Sequence, residues 1–289
     1  MEKVSIDSIV GRLIEPTREF AAASNAPLAT LDLTEALGRP DLDAVLITSP
    51  SELHFEQASA SLDAGKHVLL EIPMTIGLEQ AQTLCAHADR VGKTLMICQT
   101  QRFWAASLEV KRRIEKGQLH PHHYHVEWHF FRRQNINWEG RKRSWVDNLL
   151  WHHGGHVIDH AVWLFDEDPS DARAWFGPSD NPLGIPLDLS AQMRFPNGGL
   201  ATFALSYNAM VPKATQRITI VCEEDLLTFE DGVLVNHAGA VLAQESHEMA
   251  LPRQNQEFVD SVRAGRTPSA CCHSILPAWR ALQKMQSNS

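Results

Sequence analysis

The first hundred residues alternate short apolar runs with helical patterns, and this alternation limits the possible folds more than any other feature of the chain. The apolar runs cover residues 5–12, 43–50, 66–73 and 94–100. Continuous apolar runs separated by amphipathic helices are typical of a buried parallel sheet with right-handed crossover connections. The sequence therefore predicts α/β structure, a Rossmann-type parallel sheet, over residues 1–118.

The pattern changes near residue 120 to the two-residue alternation of half-exposed strands. In "YHVEWHFF", residues 124–131, apolar and polar side chains alternate between two faces. Further short strands follow, with a hairpin turn at residues 196–199 and two closing helical patterns. We expect an α+β domain with a mainly antiparallel sheet over residues 119–289, whose last helices pack back on the first domain.

The composition limits the partners of the chain. Its net charge of −9, from 26 basic and 35 acidic residues, argues against nucleic acid. No apolar run approaches the ~18 residues needed to span a bilayer, and the first residues lack a signal-peptide pattern. The five cysteines include no Cys-x-x-Cys pair, so we expect reduced thiols. Together these features predict a cytoplasmic protein with a small-molecule partner and neither a nucleic-acid nor a membrane partner.

Histidines cluster around two glycines in "LLWHHGGHVIDHAVWLF", residues 149–165. On a helix, His152, His156 and Asp159 would share one face, with His153 beside them. We favour acid–base catalysis, because an imidazole oriented by a carboxylate can take up or return a proton near neutral pH. A metal site built from the same residues, and a set of solvated or hydrogen-bonded histidines, are the alternatives.

The ends of the predicted parallel strands mark a second candidate site, because ligands of open parallel sheets bind beyond the carboxyl ends of the strands. The four apolar runs end near residues 11–12, 48–50, 71–73 and 99–102, which we expect to line one crevice facing the second domain. The residues predicted to contact a cofactor there are Gly11, Arg12, Ser49, Pro50, His54, Glu71, Ile72 and Pro73.

Several arginines lie close in sequence to the predicted crevice or to the histidines. A guanidinium group binds a carboxylate through two parallel hydrogen bonds, so these side chains favour an anionic substrate. On an acidic protein they are equally compatible with solvated charge. The candidates for substrate binding are Arg102, Arg132, Arg133 and Arg143.

Two segments resemble one family of dehydrogenases. "DAVLITSPSELHFEQASASLDAGKHVLLEIP" is similar to the second half of the dinucleotide-binding domain of the glucose-fructose oxidoreductase/inositol dehydrogenase (Gfo/Idh/MocA) family, and "GGHVIDHAVWLF" resembles its Gly-x-His-x-x-Asp helix. The resemblance, which covers nearly the whole chain, implies hydride transfer to NAD(P). It also implies substrate contacts and a homo-oligomer interface on the C-terminal sheet. Arg12, where an acidic residue would hold the ribose of NAD, favours NADP and leaves NAD open.

The chain departs from the usual pattern of that family at two positions. Ile72 stands where the family has a catalytic lysine, and His152 where it has an aspartate. "HFFRRQNINWEGRKRSWVDNLLWHH" closely resembles a narrower group of the family that shares both features. That resemblance implies NADP-dependent oxidation of the cyclic hemiacetal of a dicarboxylic semialdehyde to a lactone. On this reading His156 is the first candidate for the base, with His152 or His153 next, Asp159 orients the imidazole, and the arginines hold the carboxylates.

The family's Gly-x-Gly-x-x-Gly turn, which cradles the cofactor pyrophosphate, does not occur in the sequence. We therefore expect an incomplete parallel sheet with exposed strand edges and weak binding of NADP. The same observation supports a second hypothesis, a cofactor-less relative that binds a small molecule. A third hypothesis, a metal-dependent hydrolase, ranks lower because the α/β pattern already accounts for the histidine cluster.

Overall fold

A computed structural model describes residues 4–136, 142, 143, 146 and 148–288 of the chain. No helix among these residues combines the length and the apolar character needed to cross a membrane. The first region alternates strands and helices in the predicted order: β1 (Ser8–Val10), α1 (Ile14–Ala23), β2 (Leu28–Thr30), α2 (Leu33–Leu37), β3 (Ala44–Ile47), α3 (His54–Asp63), β4 (His67–Leu70), α4 (Leu78–Val91) and β5 (Leu95–Ile97).

These five strands are all parallel, which confirms the predicted Rossmann-type sheet, but they form two separate sheets. β1 pairs with β2, while β3, β4 and β5 form a three-stranded sheet in that order. β4 is the central strand of the larger sheet, and Val68, Leu69 and Leu70 on it are buried. On the outer strands, Val10 of β1 is 38% exposed and Leu46 of β3 is 55% exposed. The described strands therefore leave an open edge on each sheet.

Helix ends in this region follow from local chemistry. α2 begins after Asp32, whose carboxylate accepts a hydrogen bond from the backbone N–H of Thr34 at 2.8 Å. α4 ends at Gly92, whose φ of 62° is a left-handed conformation that glycine adopts without steric cost.

The second region is built on an eight-stranded sheet. Its elements are α5 (Ala105–Glu115), β6 (Pro121–His129), α6 (Gly155–Phe165), β7 (Asp171–Phe176), β8 (Asp188–Arg194), β9 (Leu200–Ser206), β10 (Thr215–Cys222), β11 (Leu226–Glu230), β12 (Val233–Val235), β13 (Val241–Gln244), α7 (Ala250–Ala264) and α8 (Cys272–Ser287). The strand order is β13-β12-β11-β10-β6-β9-β8-β7, and only the β6–β9 pair is parallel. The predicted mainly antiparallel sheet is confirmed.

α8 joins the two regions into one apolar core. It contacts α4 and β5 of the first region and α6 and β7 of the second. On α8, the buried Trp279 donates a hydrogen bond from Nε1 to the carbonyl oxygen of Thr75 at 3.1 Å. Just before α8, the carbonyl oxygen of Ala270 accepts from the backbone N–H of Ile97 at 2.9 Å. The ends of the parallel strands are thereby held against the second region, and the histidine-rich segment lies where they meet.

Candidate active site

The histidine-rich segment is a wide helical turn followed by a regular helix, not one continuous α-helix. Leu150–Gly154 forms a π-helical turn, and α6 begins at Gly155. The side chain of Asn148 starts the turn, because its Oδ1 accepts hydrogen bonds from the backbone N–H groups of Leu150 at 2.9 Å and Trp151 at 3.2 Å. Such wide turns are frequent at functional sites. This one changes which side chains share a face of the segment.

Three imidazole rings lie together at this turn. The ring centroids of His152 and His153 are 4.6 Å apart, and those of His152 and His156 are 6.3 Å apart. All three side chains are half-buried. The predicted cluster of His152, His153 and His156 therefore exists in the folded chain.

His153 lies in an aromatic pocket formed by the antiparallel sheet. Its ring packs edge-on against Trp128 and Phe130, with ring centroids 4.7 and 4.3 Å apart. Its Nδ1 lies 2.5 Å from the hydroxyl oxygen of Tyr207. Burial lowers the pKa of His153 well below its usual value, and the neighbouring histidines and arginines lower it further. His153 is therefore neutral at physiological pH.

His156 faces the parallel-strand side of the site. Its Nδ1 lies 3.1 Å from Oε1 of Gln99, the second residue after β5. Burial lowers the pKa of His156 to about 3, with a smaller contribution from His152. A neutral imidazole at this position can accept a proton.

Asp159 and Arg102 do not have the roles expected from the sequence. They form a buried ion pair, in which Arg102 Nε and Nη2 donate to the two carboxylate oxygens of Asp159 at 2.7 and 2.6 Å. Arg102 also donates to the carbonyl oxygen of Ser269 and to the hydroxyl and carbonyl of Ser274, each at 3.1 Å. The carboxylate therefore holds an arginine and does not orient a histidine. The guanidinium of Arg102 is likewise hydrogen-bonded to groups inside the protein and does not face a substrate.

The other three predicted arginines divide between two environments. The guanidinium carbon of Arg132 lies 5.5 Å from the ring centroid of Tyr207. Arg132 and Arg143 both lie close enough to His153 to lower its pKa by charge repulsion. Arg133 is exposed and donates from Nε to Oδ1 of Asn208 at 3.1 Å. The structure thus places Arg132 and Arg143 close to His153, whereas Arg133 is bonded to Asn208 at the surface.

The predicted cofactor residues after β3 and β4 come together at one edge of the sheet. His54 links the two loops, because its Nε2 contacts the carbonyl oxygen of Ser49 at 2.9 Å and its Nδ1 that of Pro73 at 2.7 Å. Burial raises the pKa of Glu71, whose carboxylate accepts from the backbone N–H of Ile72 at 3.1 Å. Pro50 precedes the short turn that leads into α3. Six of the eight predicted residues therefore line this edge.

Gly11 and Arg12 follow β1 in the separate two-stranded sheet. The backbone N–H of Gly11 donates to the carbonyl oxygen of Thr30 at 3.1 Å. A Cβ at this position would lie 1.9 Å from Oγ1 of Thr17, so only glycine fits there without rearrangement. This close approach, more than a ligand, accounts for the glycine.

Sequence reasoning missed Tyr207 and gave Gln99 no role beyond lining the crevice. One signal was available, because the chain has only two tyrosines. The hydroxyl of each meets a histidine: Tyr207 contacts His153, and Tyr124 lies 3.1 Å from Nδ1 of His160. Neither contact follows from local spacing, because the paired residues lie 54 and 36 positions apart in the chain.

The alternative of a metal site at the histidine-rich segment receives no geometric support. Among the described residues, the set whose ligand atoms converge within 4.8 Å is His120, Glu223 and Glu224, all exposed. That set lies at the start of β6, whereas the histidine-rich segment packs near its end. His152, His156 and Asp159 do not converge, because the carboxylate is engaged with Arg102.

A parallel Rossmann-type region joined to a mainly antiparallel sheet, with imidazoles at the junction, defines the class of two-region dinucleotide-dependent oxidoreductases. Residues 2–99 match the model of the "Oxidoreductase family, NAD-binding Rossmann fold", and residues 106–240 match that of "Bacterial oxidoreductases, C-terminal". The chain is 32% identical to the 4-carboxy-2-hydroxymuconate-6-semialdehyde dehydrogenase of Sphingobium sp. (strain NBRC 103272 / SYK-6), covering 99% of its own length and 91% of that protein. The chain belongs to the Gfo/Idh/MocA oxidoreductase family.

Two further proteins illustrate the range of this similarity. The scyllo-inositol 2-dehydrogenase (NADP(+)) of Bacillus subtilis (strain 168) is 33% identical over 168 residues, 57% of this chain and 46% of that protein. The structure of a levoglucosan dehydrogenase in complex with NADH superposes with a TM-score of 0.84 at 17% identity, covering 98% of this chain and 87% of that one. The second likeness is one of fold.

Proposed function

We propose that this chain is an NADP-dependent dehydrogenase that oxidises the cyclic hemiacetal of 4-carboxy-2-hydroxymuconate-6-semialdehyde to 2-pyrone-4,6-dicarboxylate. The observation that carries the proposal is the placement of Arg132 and Arg143 close to the neutral His153, which belongs to the same cluster of imidazoles as the neutral His156. A carboxylated substrate needs cations to bind it, and oxidation of its hydroxyl needs a neutral base. The name of the Sphingobium relative supplies the particular substrate.

The residues at the edge of the three-stranded sheet suit the nicotinamide end of the cofactor. Ile72 is an apolar side chain that stands beside the carboxyl of Glu71, whose pKa is raised by burial. This set favours an uncharged aromatic ring over a further charged group. When bound, NADP would accept the hydride from the ring carbon of the hemiacetal. Arg12 would favour the 2′-phosphate of NADP over the ribose hydroxyls of NAD.

The protein residues would divide the remaining work. Arg132 and Arg143 bind the carboxylates and set the position of the ring, while His156 accepts the hydroxyl proton as the carbon–hydrogen bond breaks. The negative charge of the bound dicarboxylate opposes the effects that lower the pKa of His156, so substrate binding strengthens the base. His152 or His153 would receive the proton if His156 does not.

A second candidate is a dicarboxylate-binding protein without a cofactor. The absence of a Gly-x-Gly-x-x-Gly turn from the sequence favours it, because that turn supplies backbone N–H groups to the pyrophosphate. Both candidates use Arg132 and Arg143 in the same way and differ only in the cofactor. Under either we expect a cytoplasmic homo-oligomer that pairs through the open face of the eight-stranded sheet.

Separate titrations of NADPH and of 2-pyrone-4,6-dicarboxylate into the purified chain distinguish these candidates, with nicotinamide fluorescence and calorimetry as readouts. Binding of both ligands, with NADP reduction when the hemiacetal is added, supports the dehydrogenase. Binding of the dicarboxylate alone supports the cofactor-less protein. If the chain binds neither ligand, both candidates are wrong.

A further inference from the structure

Gln99 bridges α6 and the end of β5 through both atoms of its side-chain amide. Its Oε1 lies 3.1 Å from Nδ1 of His156, and its Nε2 lies 3.5 Å from the carbonyl oxygen of Gly155. The side chain is fully buried, with 0% of its surface exposed. Both hydrogen bonds of the amide are therefore made to the protein and not to solvent.

The chemistry of the Gly155 carbonyl determines the direction of both contacts. A carbonyl oxygen accepts and never donates, so the amide nitrogen of Gln99 must face Gly155. The amide oxygen then faces His156, and because this oxygen also only accepts, Nδ1 of His156 must carry the proton. In a neutral imidazole the other nitrogen, Nε2, then holds the free electron pair.

We infer that Gln99 is a positioning residue that holds His156 in its Nδ1–H form and so makes Nε2 the proton-accepting atom. The catalytic use of Nε2 rests on the proposed function, whereas the tautomer itself does not. No other residue in the described part of the chain is found hydrogen-bonded to Nε2 of His156. The amide thus directs the lone pair away from β5.

His153 lacks an equivalent constraint. Its Nδ1 meets the hydroxyl of Tyr207, which can donate or accept, so this contact does not select a tautomer. The amide oxygen of Gln99 can only accept a hydrogen bond from His156, whereas the hydroxyl of Tyr207 can either donate to His153 or accept from it. This difference favours His156 over His153 as the base.

An amide at this position also controls charge. The titratable groups nearest to His156 are the imidazoles of His152 and His153, and one turn further along α6 lies Asp159, which is paired with Arg102. On the side of β5, the Glu71 carboxyl lies beside Cys98, the residue before Gln99. A carboxylate in place of the Gln99 amide would favour the imidazolium form of His156. The neutral amide orients the ring and leaves it unprotonated.

Histidine nitrogen NMR tests the tautomer without any need for activity. In the chain labelled with nitrogen-15 at histidine, two-bond correlations distinguish protonated from bare ring nitrogens, and His156→Asn assigns the signals. We expect Nδ1–H for His156, a shift toward Nε2–H in Gln99→Met, and no shift in the control Gln101→Met. Gln101 is a buried glutamine of the same turn without a hydrogen-bond partner among the described residues. Nε2–H in the unaltered chain, or no change in Gln99→Met, would overturn the inference.

Kinetics with NADP and the hemiacetal test the use of Nε2. Gln99→Met should lower kcat by about 10²-fold or more with KM nearly unchanged, because His156 would then carry its proton on Nε2 and could not accept the hydroxyl proton there, whereas substrate binding is not altered. Gln99→Glu should move the acid limb of the kcat/KM profile to higher pH by about 1–3 units. An unmoved acid limb with the expected tautomer would overturn the catalytic part. A chain that shows the tautomer but no dehydrogenase activity would instead disprove the proposed function and leave the tautomer assignment standing.

Discussion

At the scale of single residues, the site concentrates positive charge around groups that are themselves neutral. Arg132 and Arg143 approach His153 closely enough to resist its protonation. A site with this field disfavours a cation and favours an anion, and Asp159 on α6 does not offset it because its carboxylate is paired with Arg102. A dicarboxylate ligand would bring negative charge to this field.

Replacement of Arg132 tests this reading. Arg132→Gln should weaken binding of a dicarboxylate by about 10- to 100-fold, because a charge-assisted hydrogen bond contributes about 1.5–3 kcal/mol. Calorimetric titration of 2-pyrone-4,6-dicarboxylate provides the measurement. The adjacent Arg133→Gln is the matched control, since Arg133 bonds Asn208 and is exposed. Equal losses in the two variants would show that the effect is one of net charge and not of position.

The Arg102–Asp159 pair has its own expected result. Asp159→Asn should lower the free energy of unfolding by about 3–5 kcal/mol, because it leaves the buried guanidinium without a counter-charge. The double variant Arg102→Met/Asp159→Leu should recover part of that loss, since it removes both charges. Urea denaturation measures both variants. A loss below about 1 kcal/mol in Asp159→Asn would show that solvent reaches the pair.

The contacts of the site show how much residue spacing in the sequence can predict. The sequence identifies His152, His153 and His156 as a cluster, because the three lie within five positions of each other. It does not identify Tyr207, Gln99 or the partner of Asp159, because those contacts join residues 54 to 57 positions apart. Side-chain types are visible in a sequence, whereas the groups that face them depend on the packing of distant elements.

At the scale of elements, regular helices and strands were predictable, whereas the π-helical turn at Leu150–Gly154 was not. The cap of α2 at Asp32 and the end of α4 at Gly92 follow from local hydrogen bonding and backbone freedom. The turn at Leu150–Gly154 begins instead at the side chain of Asn148, whose Oδ1 accepts hydrogen bonds from the backbone N–H groups of Leu150 and Trp151. An α-helical pattern of apolar residues does not predict these two hydrogen bonds.

Asn148→Ala should therefore affect both stability and activity. We expect a loss of about 1 kcal/mol, the usual effect of removing a helix-start acceptor. We also expect a larger fall in kcat, because the start of the turn sets the positions of His152 and His153. Asp32→Ala serves as the control, since it removes a comparable acceptor at α2. The idea fails if the two variants lose stability alike and Asn148→Ala keeps full kcat.

At the scale of the whole molecule, the fold class follows from the sequence, which also predicts that the last helices pack back on the first domain but not which residues meet there. Alternating apolar runs are enough to predict a parallel region followed by a mainly antiparallel sheet, because each pattern has its own period. The junction depends on α8, which brings the last residues of the chain against α4 and β5 near the start. The buried Trp279 belongs to that contact, and its partner Thr75 lies 204 positions away.

The stability of the whole molecule should depend on pH through its buried histidines. The pKa values of His156 and His160 are lowered to about 3 in the folded chain, from 6.5 for a free imidazole. The stabilising effect of keeping them neutral is fully present above pH 6.5 and is lost as the pH falls toward 3, because unfolding then takes up protons. At pH 5 each histidine should account for a loss of about 2 kcal/mol.

Urea denaturation at pH 7.5 and pH 5 measures this effect. His160→Gln should remove about 2 kcal/mol of the difference between the two pH values, since it removes one of the histidines whose pKa is lowered by burial. His120→Gln is the control of opposite sign. Glu224 raises the pKa of His120, so the contribution of that histidine is present at low pH and is lost as the pH rises. Its removal should leave the acid destabilisation in place. An equal reduction in both variants would show that the pH dependence does not come from the buried histidines.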